Sequence, residues 1–260
     1  SGDARGFLPT VASARALQPF LWEVKERRLA FAKAQLAGAA TVRWSTRLDG
    51  GGIVADHPAL DAQVGRLVLA RSLALVAALR EAGATPLFFL DEPGLYALDR
   101  NDARTLVVLS ELKLHVAALR RAGALVGLHC CGNTDWPALM QLGLDLLSFD
   151  VRLSLDAVFD DPSAVGRFLA SGAAFSLGIV PTDARAGAEE SDVVALAGAV
   201  EATVRAALPD RRDALDHVLL TPACGLGLRT VLDAERTFDR LRVARTALVG
   251  AGAVVSAASA

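Results

Sequence analysis

The chain has 260 residues, 53% of them hydrophobic and 5% aromatic, and a formal net charge of -2. That length suits one large α/β domain over residues 1–260 better than two small ones, and the near-neutral charge gives no electrostatic reason to expect nucleic acid or an anionic membrane as partner. Three cysteines suit a reducing, cytoplasmic compartment better than a disulfide framework. No apolar stretch is expected to serve as a membrane span of ~20 residues, and no signal-peptide pattern opens the sequence.

Taken in order, Pro19 to Leu29 reads as a helix with Phe20, Leu21 and Val24 at helical spacing. Phe31 to Leu36 reads as a short strand leading into Ala37-Gly38-Ala39-Ala40-Thr41. A loop follows at Asp49 to Gly52, and Pro58 then opens a long helix from Ala59 to Ala82, with Gly83 as its stop. Thereafter strands are predicted at 85–90, 124–128, 146–149, 174–180 and 218–221. They alternate with helices at 101–122, 136–142, 155–170, 191–208 and 232–249. Strands that are near-continuous apolar runs, separated by helices, argue a parallel sheet buried on both faces.

Polar residues choose among the α/β folds. Glu92, His129, Asp150, Thr182 and Cys224 all fall at or just past the carboxyl ends of successive predicted strands. A (β/α)8 TIM barrel gathers its site there, whereas a doubly wound sheet would not draw chemistry from five strands. Six strands can be counted, so the expected barrel is abbreviated or incomplete at its N-terminus. Such a barrel would expose apolar strand edges and favour association into a homodimer.

The stretch Leu128-His129-Cys130-Cys131-Gly132-Asn133 closes one of these strands. Strand alternation sends His129 and Cys131 to one side and Cys130 to the other, so His129 and Cys131 can share a ligand. The third cysteine, Cys224, closes the apolar run Val218 to Ala223. Imidazole and thiolate donors suit Zn²⁺, which makes His129, Cys131 and Cys224 the expected metal ligands. The plainer alternative is small core cysteines and a core histidine.

Asp150 follows Leu146 to Phe149 and reads either as a fourth ligand or as a rim carboxylate bonded to backbone or to Arg152. Asp91 and Glu92 follow Leu87 to Leu90. Two carboxylates there can hold an ammonium group or work as acid and base. They point to opposite sides, so one faces the site, and the other suits a capping role at the Pro93-Gly94 turn. Gly178 to Thr182 offers backbone donors and the Thr182 hydroxyl to a polar substrate. His57, His115 and His217 have no partner by spacing; His115 reads as a helix-surface residue and His217 as a strand-start residue. Trp44 and Trp136 read as packing. Asp49 to Gly52 lacks the Lys-Ser/Thr of a phosphate-binding loop, and no serine nucleophile elbow occurs.

These residues carry a resemblance, from about Lys33 onward, to the catalytic C-terminal barrel of cobalamin-independent methionine synthase. The wider group takes in the uroporphyrinogen decarboxylase-like and corrinoid-dependent methyltransferase barrels. Lys33 to Thr41 resembles the strand that leads to the family's Gly-Pro-x-Thr loop, with Ala39 at the proline, and Trp44-Ser45 follows as in the synthases. Leu90-Asp91-Glu92-Pro93-Gly94-Leu95 is similar to the Asp-Glu-Pro-Ala-Leu motif, whose aspartate holds the amino acid's amine. His129-x-Cys131 and Pro222-Ala223-Cys224-Gly225-Leu226 resemble the zinc motifs. Asp150 falls where the synthases place a glutamate ligand. No counterpart is found here to the folate-associated half of the long synthases, or to the early Gly-Ser segment that binds the substrate carboxylate.

The resemblance implies a zinc-dependent thiol S-methyltransferase acting on homocysteine or a similar small thiol. The methyl donor would be methyltetrahydrofolate or a methylcorrinoid protein. Zn²⁺ would be held by His129, Cys131 and Cys224, with Asp150 yielding to the substrate sulfur. Asp91, with Glu92 and Thr182 beside it, would bind the substrate. Two other readings stand next to it: a metal-free lyase like uroporphyrinogen decarboxylase, and a non-catalytic barrel that binds a thiol metabolite or a partner.

Overall fold

The computed structural model describes residues 4–98, 102–182, 189–215 and 218–249. Its elements in chain order are α1 (Leu17–Glu26), β1 (Phe31–Ala37), α2 (Ala39–Ser45), α3 (Pro58–Glu81), β2 (Thr85–Asp91), α4 (Ala103–Arg121), β3 (Leu125–Cys130) and α5 (Trp136–Met140). They continue as β4 (Leu146–Asp150), α6 (Val151–Phe159), α7 (Pro162–Ala170), β5 (Ala174–Val180), α8 (Glu190–Ala207), β6 (Leu219–Pro222) and α9 (Val231–Val249).

The strands are all parallel and lie in the sheet order β1-β2-β3-β4-β5-β6. The α/β class agrees with the sequence, but the (β/α)8 TIM barrel does not: the described strands number six and leave β1 and β6 as sheet ends, so no eight-stranded barrel closes. Outside the six strands, 17–26 coil into α1, and 46–57 hold a single antiparallel bridge, Arg47 to Ile53, and a short helical turn.

Three smaller expectations also change. The helix expected over 155–170 is two helices, because Asp161 caps a new one by accepting from the Ala164 amide (2.9 Å) and Pro162 occupies its first turn. Residues 39–45, to which the sequence reading gives no element, form α2. His115, read as a surface residue of α4, is buried. Asn101 and His217 lie outside the described residues.

The chain forms two compact units, Ser1–Cys130 with Ala138–Leu146, and Cys131–Pro137 with Leu147–Ala260. In the first, Gly83 and Gly123 close α3 and α4 in the left-handed region (φ 94° and 92°). Each glycine amide bonds back to the helix, to Arg80 O and Arg120 O, and the next residue's amide reaches Leu79 O or Leu119 O. This Schellman pattern needs a residue without a Cβ penalty, and it turns the chain directly into the next strand.

The helix-covered face of β1–β3 buries Ala32, Phe88, Leu90, Val126 and Leu128. Against it lie Leu75, Val76 and Leu79 of α3, and Leu112, Val116 and Leu119 of α4. At about 2 kcal/mol for each fully buried large apolar side chain, this face supplies most of the unit's cohesion. By length and composition alone α3 is apolar enough to cross a bilayer, where no apolar stretch of that length was expected, and 39% of its apolar window is buried.

In the second unit the core is aromatic despite the low aromatic content. Phe175 of β5 stands 5.9 Å from Phe149, 5.4 Å from Phe159 and 5.2 Å from Phe168 by ring centroid, and Trp136 lies edge-on to Phe149 at 5.8 Å. Gly178 of β5 is closely confined: a Cβ there would fall 2.7 Å from Phe149 O and 2.8 Å from Ala223 Cα.

Candidate functional site

Alternation along the three strands of the first unit puts Lys33 and Gln35 of β1, Phe89 and Asp91 of β2, and Gly127 and His129 of β3 on the face away from α3 and α4. Register pairs Gln35 with Phe89, Phe89 with Gly127, and Asp91 with His129. The Phe89 ring lies over Gly127, where a Cβ would come within 2.4 Å of it. Lys33 Nζ stands 4.8 Å from the centroid of the same ring, a cation–π distance.

Above this floor runs a hydrogen-bonded row. Lys33 Nζ donates to Gln35 Oε1, and Gln35 Nε2 donates to Asp91 Oδ2 at 2.7 Å. Burial raises the pKa of Asp91, partly offset by the Lys33 charge and the Gln35 hydrogen bond. Burial lowers that of Lys33, with Asp91 opposing the shift. His129 is pushed down to about 4, first by burial and then by the positive charge of Lys33. Its imidazole is therefore neutral at pH 7.

Glu92, one residue on, is fully buried and points elsewhere. Its Oε1 accepts from the Ala40 amide (3.1 Å), and its Oε2 accepts from the Thr41 amide and hydroxyl (2.7 Å each), at the start of α2. Gly38 leaves the room, because a Cβ there would sit 2.1 Å from Glu92 Oε1. Burial nevertheless raises the Glu92 pKa, against the lowering effect of the Thr41 and Ala40 bonds and of Arg43. The expectation that Asp91 and Glu92 face opposite ways fits these contacts, and the capped element is α2 rather than the Pro93 turn alone. The Gly94 amide joins the same knot by donating to Thr41 Oγ1 (3.1 Å).

At the far end of α2, Arg43 is buried and meets Asp61 (2.8 Å) and Glu111 (2.6 Å), with His115 Nε2 3.8 Å from Glu111. Burial lowers the His115 pKa, Glu111 opposes that, and Arg43 adds to it.

In the second unit Asp150 is buried at the end of β4 and caps α6. Its Oδ1 accepts from the Arg152 amide (2.9 Å) while Oδ2 lies 3.8 Å from the Arg152 guanidinium. Gly178 brings the Asp150 backbone and Ala223, the residue before Cys224, against one point of β5. Thr182 follows β5, and its carbonyl accepts from Arg229. Cys131 is half-buried, Cys224 is exposed, Cys130 in the first unit is buried, and none of the three is in a disulfide. Within neither unit are three or more His, Cys, Asp or Glu side chains gathered as the ligands of one ion among the described residues.

Of the residues expected from sequence, Asp91 and His129 thus share one face and register in the first unit, while Glu92 turns away to hold α2. Lys33 and Gln35 were not expected at the site. Their signal was the polar alternation Lys33-x-Gln35 against Ala32, Ala34 and Leu36 in β1. The fold defines the class as α/β with a parallel sheet. Compared with known proteins, the chain matches no protein-family model and no curated protein.

Proposed function

We propose that the chain is a zinc-dependent thiol S-methyltransferase that passes a methyl group to homocysteine or a similar small thiol, as its resemblance to the methionine synthase catalytic region implies. The observation that supports this reading is positional. Asp91, His129, Asp150 and Cys224 stand within two residues of the carboxyl ends of four different strands, where parallel α/β sheets carry their ligands.

The donor chemistry fits the metal. One imidazole, two cysteines outside any disulfide and a carboxylate match the preference of Zn²⁺ for nitrogen and sulfur. The depressed pKa of His129 means that no proton competes for its lone pair at neutral pH. The resemblance names His129 in the first unit, and Cys131, Cys224 and Asp150 in the second, as the donors, and Asp150 is the cap of α6 as well. Bound there, Zn²⁺ would supply Lewis acidity that deprotonates a thiol at neutral pH. Asp91 would take the substrate ammonium and so orient the sulfur toward the methyl donor, either methyltetrahydrofolate or a methylcorrinoid protein.

Elemental analysis of the purified protein beside Cys131→Ser and Cys224→Ala tests the reading. About one zinc per chain, lost in both variants, supports it, together with methylation of homocysteine by either donor. No zinc after reconstitution under reducing conditions, or undiminished zinc in the variants, overturns it.

A further inference from the structure

The row Lys33-Gln35-Asp91 has a polarity that its own hydrogen bonds reveal. Gln35 presents its acceptor end, the carbonyl, to the Lys33 ammonium, and its donor end, the amide nitrogen, to the Asp91 carboxylate. A single small group bearing an acceptor on one side and a donor on the other therefore bridges a fixed cation and a fixed anion. An α-amino acid has that same arrangement with full charges, its carboxylate and its ammonium being carried on one carbon.

We infer that Lys33 and Asp91 form a zwitterion-recognition pair that receives the carboxylate and the ammonium of a free α-amino acid, with the Gln35 side chain giving way to the ligand. The inference rests on the methyltransferase reading, which already gives Asp91 the substrate ammonium, and what it adds is Lys33 as the partner of the substrate carboxylate, which the sequence comparison with the synthases left without one.

Geometry supports the assignment. Register places Lys33 opposite Leu87, four positions before Asp91 on β2. At about 3.3 Å per residue the two backbones are offset by roughly 13 Å along the strands. The long Lys33 side chain closes about half of that gap by running over Phe89 toward Gln35. What remains is the width of one amide plus a hydrogen bond of about 3 Å at each end, which also accommodates an amino-acid head group. Gln35 is exposed and long enough to swing aside, whereas Phe89 beneath is buried and held over Gly127. Exchanging two hydrogen bonds in which one partner is charged for two in which both are charged favours the ligand.

Isothermal titration of the full chain separates the two ends. The probes are L-methionine, 3-(methylthio)propylamine without the carboxylate, and 4-(methylthio)butanoate without the ammonium. Lys33→Met should weaken L-methionine and the butanoate at least about tenfold and leave the amine unchanged, with Lys33→Arg restoring much of the loss. Asp91→Asn should do the converse, and Gln35→Ala should bind L-methionine at least as tightly as the parent. Lys33 is exposed by surface area while its ammonium is desolvated over Phe89 and beside Gln35, so the thermal midpoint of each variant is read beside its binding, and Lys33→Arg separates lost binding from lost stability.

Failure of the parent to bind L-methionine, or equal losses for the amine and the butanoate in Lys33→Met, overturns the inference. A protein that contains no zinc but shows the crossed pattern sinks the methyltransferase reading and leaves this one standing. A zinc protein that methylates homocysteine without the crossed pattern does the reverse.

Discussion

Removing the Glu92 carboxylate is the sharpest test of how the first unit is held together. In Glu92→Ala, the Ala40 and Thr41 amides lose their acceptors in a site that is fully buried on the Glu92 side. Each orphaned amide costs about 1–3 kcal/mol, and the void left by the side chain adds to that. The Thr41 hydroxyl can still accept from Gly94, and relief from burying a charge offsets part of the loss. The sum is a destabilisation of about 3 kcal/mol. Glu92→Gln keeps one acceptor but turns an amide NH2 toward a donor, so about 1–2 kcal/mol is expected. Urea denaturation at pH 7 measures both, as a lower midpoint with an unchanged slope.

The pH dependence has a definite sign. Because burial raises the Glu92 pKa, the folded state holds the proton more tightly than the unfolded state does. Stability from this group is therefore fully present below the unfolded value of about 4.3 and falls as pH rises through the folded value. Glu92→Gln should flatten that part of the profile. A loss below about 0.5 kcal/mol in Glu92→Ala, within the range of ordinary surface substitutions, would refute the view that this carboxylate organises α2.

Further outcomes follow from the same contacts. Gly178→Ala drives a methyl into Phe149 O and Ala223 Cα, which are backbone atoms that cannot turn away; calorimetry should record a loss of about 2 kcal/mol or more. Asp150→Ala removes the cap of α6 and should cost about 1 kcal/mol in chemical denaturation, while Asp150→Asn, which still accepts from the Arg152 amide, should lose much less. In the metal-free protein His129 should titrate near pH 4 by NMR, and its lowered pKa makes the unfolded state the better proton acceptor. Its contribution is complete above the unfolded value of about 6.5 and disappears as pH falls through about 4, so His129→Gln should weaken the acid sensitivity between those limits.

Much of the fold was legible because two signals agree. Gly83 and Gly123 end helices that are long and periodic, and each is followed at once by an apolar run, so strand positions could be set to within about two residues. What misled was the inference from strand-end chemistry to a closed barrel: polar residues at carboxyl ends identify a parallel α/β edge and carry no information on strand number. α2 was missed because Ala39-Ala40-Thr41 has no capping residue of its own; its cap is Glu92, supplied from 51 and 52 positions away. His115 was misread because a histidine on a helix says nothing of the buried Arg43 and Glu111 it packs against. The Asp91–His129 pairing could be anticipated from strand ends, whereas Lys33 and Gln35 enter through the register of β1 on β2, a long-range property.

The anchoring of α2 also bears on the order in which the first unit assembles. Seven residues are too few to persist as a helix alone, and both ends of α2 are fastened by residues remote in sequence, Glu92 at one end and Asp61 and Glu111 at the other. Closing those loops is entropically costly until β2, α3 and α4 are already in place. α2 is thus the last stitch of the unit rather than part of its nucleus. Damage to it should appear mainly as faster unfolding, with the folding rate little altered.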